Sequence, residues 1–172
     1  MRISILLTVF LFITMSSCKS SKAVDFKGSL DQSEHKAFDI IVGKNGSGEK
    51  KLEYLVKEDY TNAIKTVDQQ SKEFDLLIAD ISKLSTDGIS EAEPLKTASL
   101  EYYQALKELH SFDKKEIKQQ ALLKIAKDTE LKNAQNKLIA LAHQKKTLYN
   151  VVYKKEALLH NASEAFRNAN GL

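Results

Sequence analysis

The sequence predicts an all-α protein, an antiparallel bundle of three to four long helices behind a flexible tether. Apolar residues recur seven apart, as in Tyr60, Val67, Phe74 and Ile81, the spacing of a helix face turned toward a partner helix. Breakers are scarce, with one proline and six glycines in 172 residues. The one run with strand-like alternation, Phe38, Ile40 and Val42, finds no convincing sheet partner further along. Amphipathic helices with short connections and no sheet make a helical bundle.

Residues 1–17 form a separate object. Arg2 is followed by an apolar run from Ile3 to Met15 and then by small residues, the layout of a secretory signal peptide. As a helix the run covers about 20 Å of a roughly 30 Å hydrocarbon core, too little for a membrane span. Met15-Ser16-Ser17-Cys18 resembles the lipobox of bacterial lipoproteins, although Met15 replaces the usual leucine and Ser17 the commoner glycine or alanine. The resemblance covers the first eighteen residues. It implies that Cys18, the single cysteine of the chain, is lipidated and becomes the mature N-terminus. Several acyl chains together hold a protein durably at a membrane. The lysine after Cys18 is not the aspartate that resembles an inner-membrane retention signal, so the expected location is the bacterial envelope with the outer membrane favoured. Losing Arg2 lowers the net charge by one from +3. Signs so nearly balanced and interspersed give no case for nucleic-acid binding.

Residues 18–30 are polar and read as the lipidated tether, and residues 31–172 as the bundle. Asp31 with Glu34 fits a capping box for a short helix to Val42. Gly43 to Gly48 reads as a hinge. The heptad stripe then predicts one helix from about Glu49 to Leu84, with Ile64 and Ile78 or Ala63 and Leu77 as its second phase. Ser85-Thr86-Asp87-Gly88 supplies turn chemistry. A second helix begins near Ser90 or one turn later, where Pro94 is better placed. It carries Leu95, Tyr102 and Leu109, with Ala98, Ala105 and Phe112. Asp113-Lys-Lys-Glu116 offers a fresh capping box, so a break is expected at 111–113. The apolar phase slips across 127–130, which predicts a turn or kink. The last helix carries Leu131, Leu138, Val152, Leu159 and Phe166, with Ala134, Leu141, Leu148, Ala162 and Ala169. Lys145 and Lys155 interrupt it, and Gly171 suits its C-terminal cap.

The Gly43–Gly48 segment has the glycine separation of a P-loop. Glu49 stands where the phosphate-binding lysine belongs and Lys50 where the hydroxyl belongs, so the motif fails. The histidines, His35, His110, His143 and His160, include no metal-binding pair one turn apart and no Glu-x-x-His. Glu156 and His160 share a helix face but make a weak site alone. No nucleophile motif is present, and the acids lie mostly among lysines, as on solvated helix faces. No catalytic residue, metal or cofactor is therefore expected. Tyr149 and Tyr153 lie off the core phases beside the Lys145 interruption, and the three could line a groove for an apolar or anionic partner.

The mature part looks like the small helical lipoproteins of unknown function. The expected role is a non-enzymatic, membrane-anchored interaction or scaffolding module with an unidentified protein partner. The alternative is a periplasmic bundle that binds a small or apolar ligand between its helices.

Overall fold

The computed structural model describes residues 21–172; the signal segment and Cys18 lie outside the described residues. Five helices and, among the described residues, no strand make up the fold. They are α1 (Ser21–Val42), α2 (Ser47–Val56), α3 (Tyr60–Ser82), α4 (Ala92–Ile125) and α5 (Asp128–Asn170). The all-helical bundle is as the sequence predicts.

The helical turns of α1 start well inside the expected tether. Ala23, Phe26, Leu30, Ser33 and Ala37 recur every three or four residues and are all buried, so residues 21–30 are core and not a flexible leash. The stripe is thin and set among polar residues, which lowers its hydropathy without weakening its period. Phe26 meets Phe166 of α5 with ring centroids 5.5 Å apart.

The Gly43–Gly48 segment is a packed turn and not a hinge. The Gly43 N–H donates to the Phe38 and Asp39 carbonyls at 3.1 Å, and the Gly46 N–H to the Gly43 carbonyl at 2.9 Å. Gly43 and Gly48 are both buried. A β-carbon on Gly48 would stand 1.9 Å from the Ile41 carbonyl oxygen, so the start of α2 abuts the end of α1 with no room for a side chain. Ser47 ties the corner down by donating to Glu73 at 2.6 Å.

The predicted helix from Glu49 to Leu84 is two helices folded back on each other. Glu58 takes a left-handed conformation with φ 57°, and the Asp59 carboxylate accepts from the Asn62 N–H at 3.0 Å to cap α3. The reversal lays Tyr54 and Leu55 beside Tyr60 and Ile64 over a small second core of Ala63, Val67 and Ile117. Along α3 the stripe holds as expected: Val67, Phe74 and Ile81 are buried, and Ala63 and Leu77 supply the second phase.

The expected break at 111–113 is absent, and α4 runs through it for 34 residues, about 51 Å. Phe112 and Asp113 are both buried. The acids that resemble a capping box are used between helices. The break expected at 127–130 does occur, slightly earlier: α4 stops at Ile125 and α5 starts at Asp128. Gly171 closes α5 at φ 67° as its C-cap.

Charged pairs record the antiparallel register. Moving back along α3 and into the turn before it, Asp75, Asp68 and then Glu58 meet Lys107, Lys114 and Lys124 of α4. From α4 to α5, Glu101 meets Lys155, and Gln119 donates to the Ala134 carbonyl. Exposed pairs of this kind contribute about 0–1 kcal/mol each, so the energy lies in the apolar core. That core joins Phe26 and Leu30 of α1, Phe74, Leu77 and Ile81 of α3, Leu95, Tyr103 and Leu109 of α4, and Val152 and Phe166 of α5. Helix α5 buries only Ala134, Leu141, Val152 and Phe166 over 43 residues.

Two substitutions test this packing. Gly48→Ala is expected to destabilise by about 1–3 kcal/mol, the usual cost of overpacking, measured by urea denaturation; a free hinge would tolerate the alanine or gain from it. Phe166→Ala should cost about 3–5 kcal/mol and lower the thermal midpoint, because its ring is fully buried where α1 and α5 meet.

Candidate functional site

Lys145 does not stand free in a groove with the two tyrosines. Its ammonium donates to Asp113 at 2.6 Å and to Glu116, while Lys51 of α2 donates to the other oxygen of Asp113. The four side chains form a balanced ion cluster tying α2, α4 and α5 together, and each is at least three-quarters removed from solvent. Burial works to raise the Asp113 pKa, but Lys51 and Lys145 outweigh it and hold the carboxyl below its ordinary value. Burial likewise opposes the Lys145 charge, and the bonds to Asp113 and Glu116 outweigh it, so that ammonium is held above its ordinary value. His110, one turn before Asp113 on α4, stacks on Phe74 at 5.9 Å. Burial, then Lys51, push its imidazole down to about 4. A neutral ring beside a compensated quartet has no free cation or acid to offer, and the cluster reads as an element of assembly.

Tyr149 and Tyr153 stack on each other at 6.5 Å on the outer side of α5, with Tyr153 62% exposed. Lys145 is thus engaged in the ion cluster, while Tyr149 and Tyr153, one and two turns further along α5, are exposed. The Gly43–Gly48 turn also takes a form unsuited to phosphate. The Asn45 N–H already donates to the Glu49 carboxylate, and the Gly46 N–H is spent on Gly43. No group of three or more His, Cys, Asp or Glu among the described residues is arranged to hold a metal ion.

A concavity of about 430 Å³, open on one side, lies between α1, α4 and α5; a slightly larger and more polar one, about 460 Å³, lies between the Gly43–Gly48 turn and α3. The walls of the first follow from helical spacing. Helix α1 turns Leu30, Glu34, Ala37 and Ile41 toward it; α4 contributes Leu95, Ser99, Tyr102, Tyr103 and Leu106; α5 contributes Glu156, Leu159, His160 and Ser163. Each set recurs at three or four residues, one face of each helix. The floor is apolar and the mouth is charged. Lys27 is taken up by Asp31 on its own helix. Neither Glu34 nor Glu156 makes an ion pair among the described residues.

Tyr102 and Tyr103 meet edge to face at 5.2 Å. Tyr103 is 4% exposed and lines the groove. Burial first, then the charge of Glu34, push its hydroxyl far above its ordinary pKa. Burial, then Glu156 and Glu34, raise Tyr102. Both tyrosines therefore stay neutral donors in an acidic setting. Of this site, the sequence marks only the Glu156–His160 pair as a candidate; Leu95, Tyr102 and Leu159 read as core stripes and Glu34 as part of a cap. The remainder comes from three helices far apart in sequence and carries no linear motif. No protein-family model, curated protein or solved structure matches the chain, so the functional reading rests on its own residues.

Removing one member of the ion cluster leaves a buried charge without compensation. Asp113→Ala is expected to cost about 3–5 kcal/mol, against less than about 1 kcal/mol for the exposed control Asp75→Ala, read from denaturant midpoints. The His110 shift gives a pH signature. Its folded pKa of about 4 lies below the usual 6.5, so the unfolded chain binds the proton first. The resulting stability is present in full above pH 6.5 and is lost as pH falls through about 4. In His110→Asn the stability curve should be flatter than wild type over that interval.

Proposed function

We propose that the chain is a non-catalytic, lipid-anchored module of the bacterial envelope whose bundle receives a small molecule between α1, α4 and α5. The observation that carries this reading is the groove itself. A volume of about 430 Å³ falls within the roughly 300–1,000 Å³ of small-molecule sites, and an apolar floor with a few converging polar groups is their usual make-up. Support for the anchor is the lipobox-like Met15-Ser16-Ser17-Cys18. The scaffolding alternative draws on one face of α5, where Ile139, Tyr149 and Tyr153 are exposed and available to a protein partner.

Two measurements test the two halves of the proposal. Cys18→Ala should move the protein from the membrane to the soluble fraction; retention of the variant in membranes would overturn the anchor. Ser163→Trp, on the partly exposed α5 wall of the groove, should abolish recovery of bound small molecules by mass spectrometry of the purified chain. Equal recovery from both proteins would place the ligand elsewhere.

A further inference from the structure

We infer that the groove between α1, α4 and α5 selects a small organic cation carried on a hydrocarbon body, an alkylammonium in chemical class. The inference rests on the proposed small-molecule role and specifies the ligand for it. Glu34 and Glu156 face the same space from opposite walls, α1 and α5. Neither is neutralised by a described neighbour, whereas Asp31 beside them is matched by Lys27. The uncompensated charge at the mouth is therefore negative, with His160 the one other titratable group of the α5 wall.

The second, independent observation is Tyr103. The residue is more than nine-tenths buried and lines the groove. With Tyr102 at 5.2 Å it adds electron-rich aromatic surface beside the two carboxylates. Aromatic faces backed by carboxylates attract ammonium groups, and more strongly where water is excluded. Deeper in, Leu30, Leu95, Leu106 and Leu159 offer an anion nothing and a hydrocarbon chain full burial. A carboxylate or phosphate ligand would meet like charge at the mouth, and a sugar would leave its hydroxyls against leucine.

The test is calorimetric titration of the full chain at pH 8 with hexyltrimethylammonium, hexanol and hexanoate, which share a chain length and differ in charge. The cation should bind at least tenfold more tightly than hexanol, and hexanoate should not bind. Glu34→Gln with Glu156→Gln should weaken the cation at least tenfold and leave hexanol unchanged, with circular dichroism confirming the fold; Glu156→Gln alone, on an exposed position, supplies the same reading if the pair does not fold. Equal binding of cation and alcohol, both blocked by Ser163→Trp, would overturn the cation inference and leave the small-molecule role standing. No binding of any probe would overturn both.

Discussion

The Asp113 carboxylate lies between Lys51 of α2 and Lys145 of α5, with Glu116 completing the charge balance on α4. Through it α2 is fixed in register with α4 and α5. Helix α2 has ten residues, below the roughly 12–15 at which an isolated helix is even marginal in water, so its fold depends on what it docks against. Buried ion pairs of this kind contribute less net stability than their Coulomb energy suggests, because desolvation offsets most of it. What they impose is a heavy penalty on misplacement: a one-turn slip of α5 along α4 would part Lys145 from Asp113 and Glu116 and leave the Lys145 and Glu116 charges without partners. The polar quartet thus decides how the pieces meet, while Phe74, Ile81, Leu95 and Phe166 supply the energy that keeps them there.

The same economy explains why a groove exists. Helix α5 is held along α4 by a thin apolar seam, and α1 touches it chiefly through Phe26 and Phe166 at one end. Beyond that contact the α1 and α5 walls carry Glu34 and Glu156, both exposed, beside Ile41 and Leu159. A carboxylate stays in water rather than packing on the opposite wall, so the apolar packing that closes the bundle at the base is missing at these two positions.

Much of the fold was legible because period survives composition. The stripe of Val67, Phe74 and Ile81, the phase slip near residue 127 and the Gly171 cap are local signals, and each is realised. Three features were hidden for separate physical reasons. Residues 21–30 bury Ala23, Phe26 and Leu30 in a mostly polar run, so average hydropathy masked the period. The reversal at 57–59 uses a left-handed Glu58 in place of glycine, a conformation worth about 1 kcal/mol or more of strain that only tertiary contacts repay. The false break at 113 came from two acids that look like a cap and serve as cross-helix partners. The groove had no linear signature at all, since its chemistry arises only when α1 and α5 are set across α4.

The position of Ser21 sets a mechanical condition. If Cys18 carries the lipid, only Lys19 and Ser20 lie between it and Ser21, which is already part of α1. Three extended chain steps span about 10 Å at most, close to the depth of one head-group layer, roughly 5–7 Å. So short a leash gives the bundle almost no orbit. The end formed by the start of α1 and the last turn of α5 would ride on the lipid surface like a foot, with the long axes of the helices standing away from it. Diffusion in the plane would then carry groove and membrane together, and solutes concentrated by an anionic lipid surface would arrive at the mouth from the side.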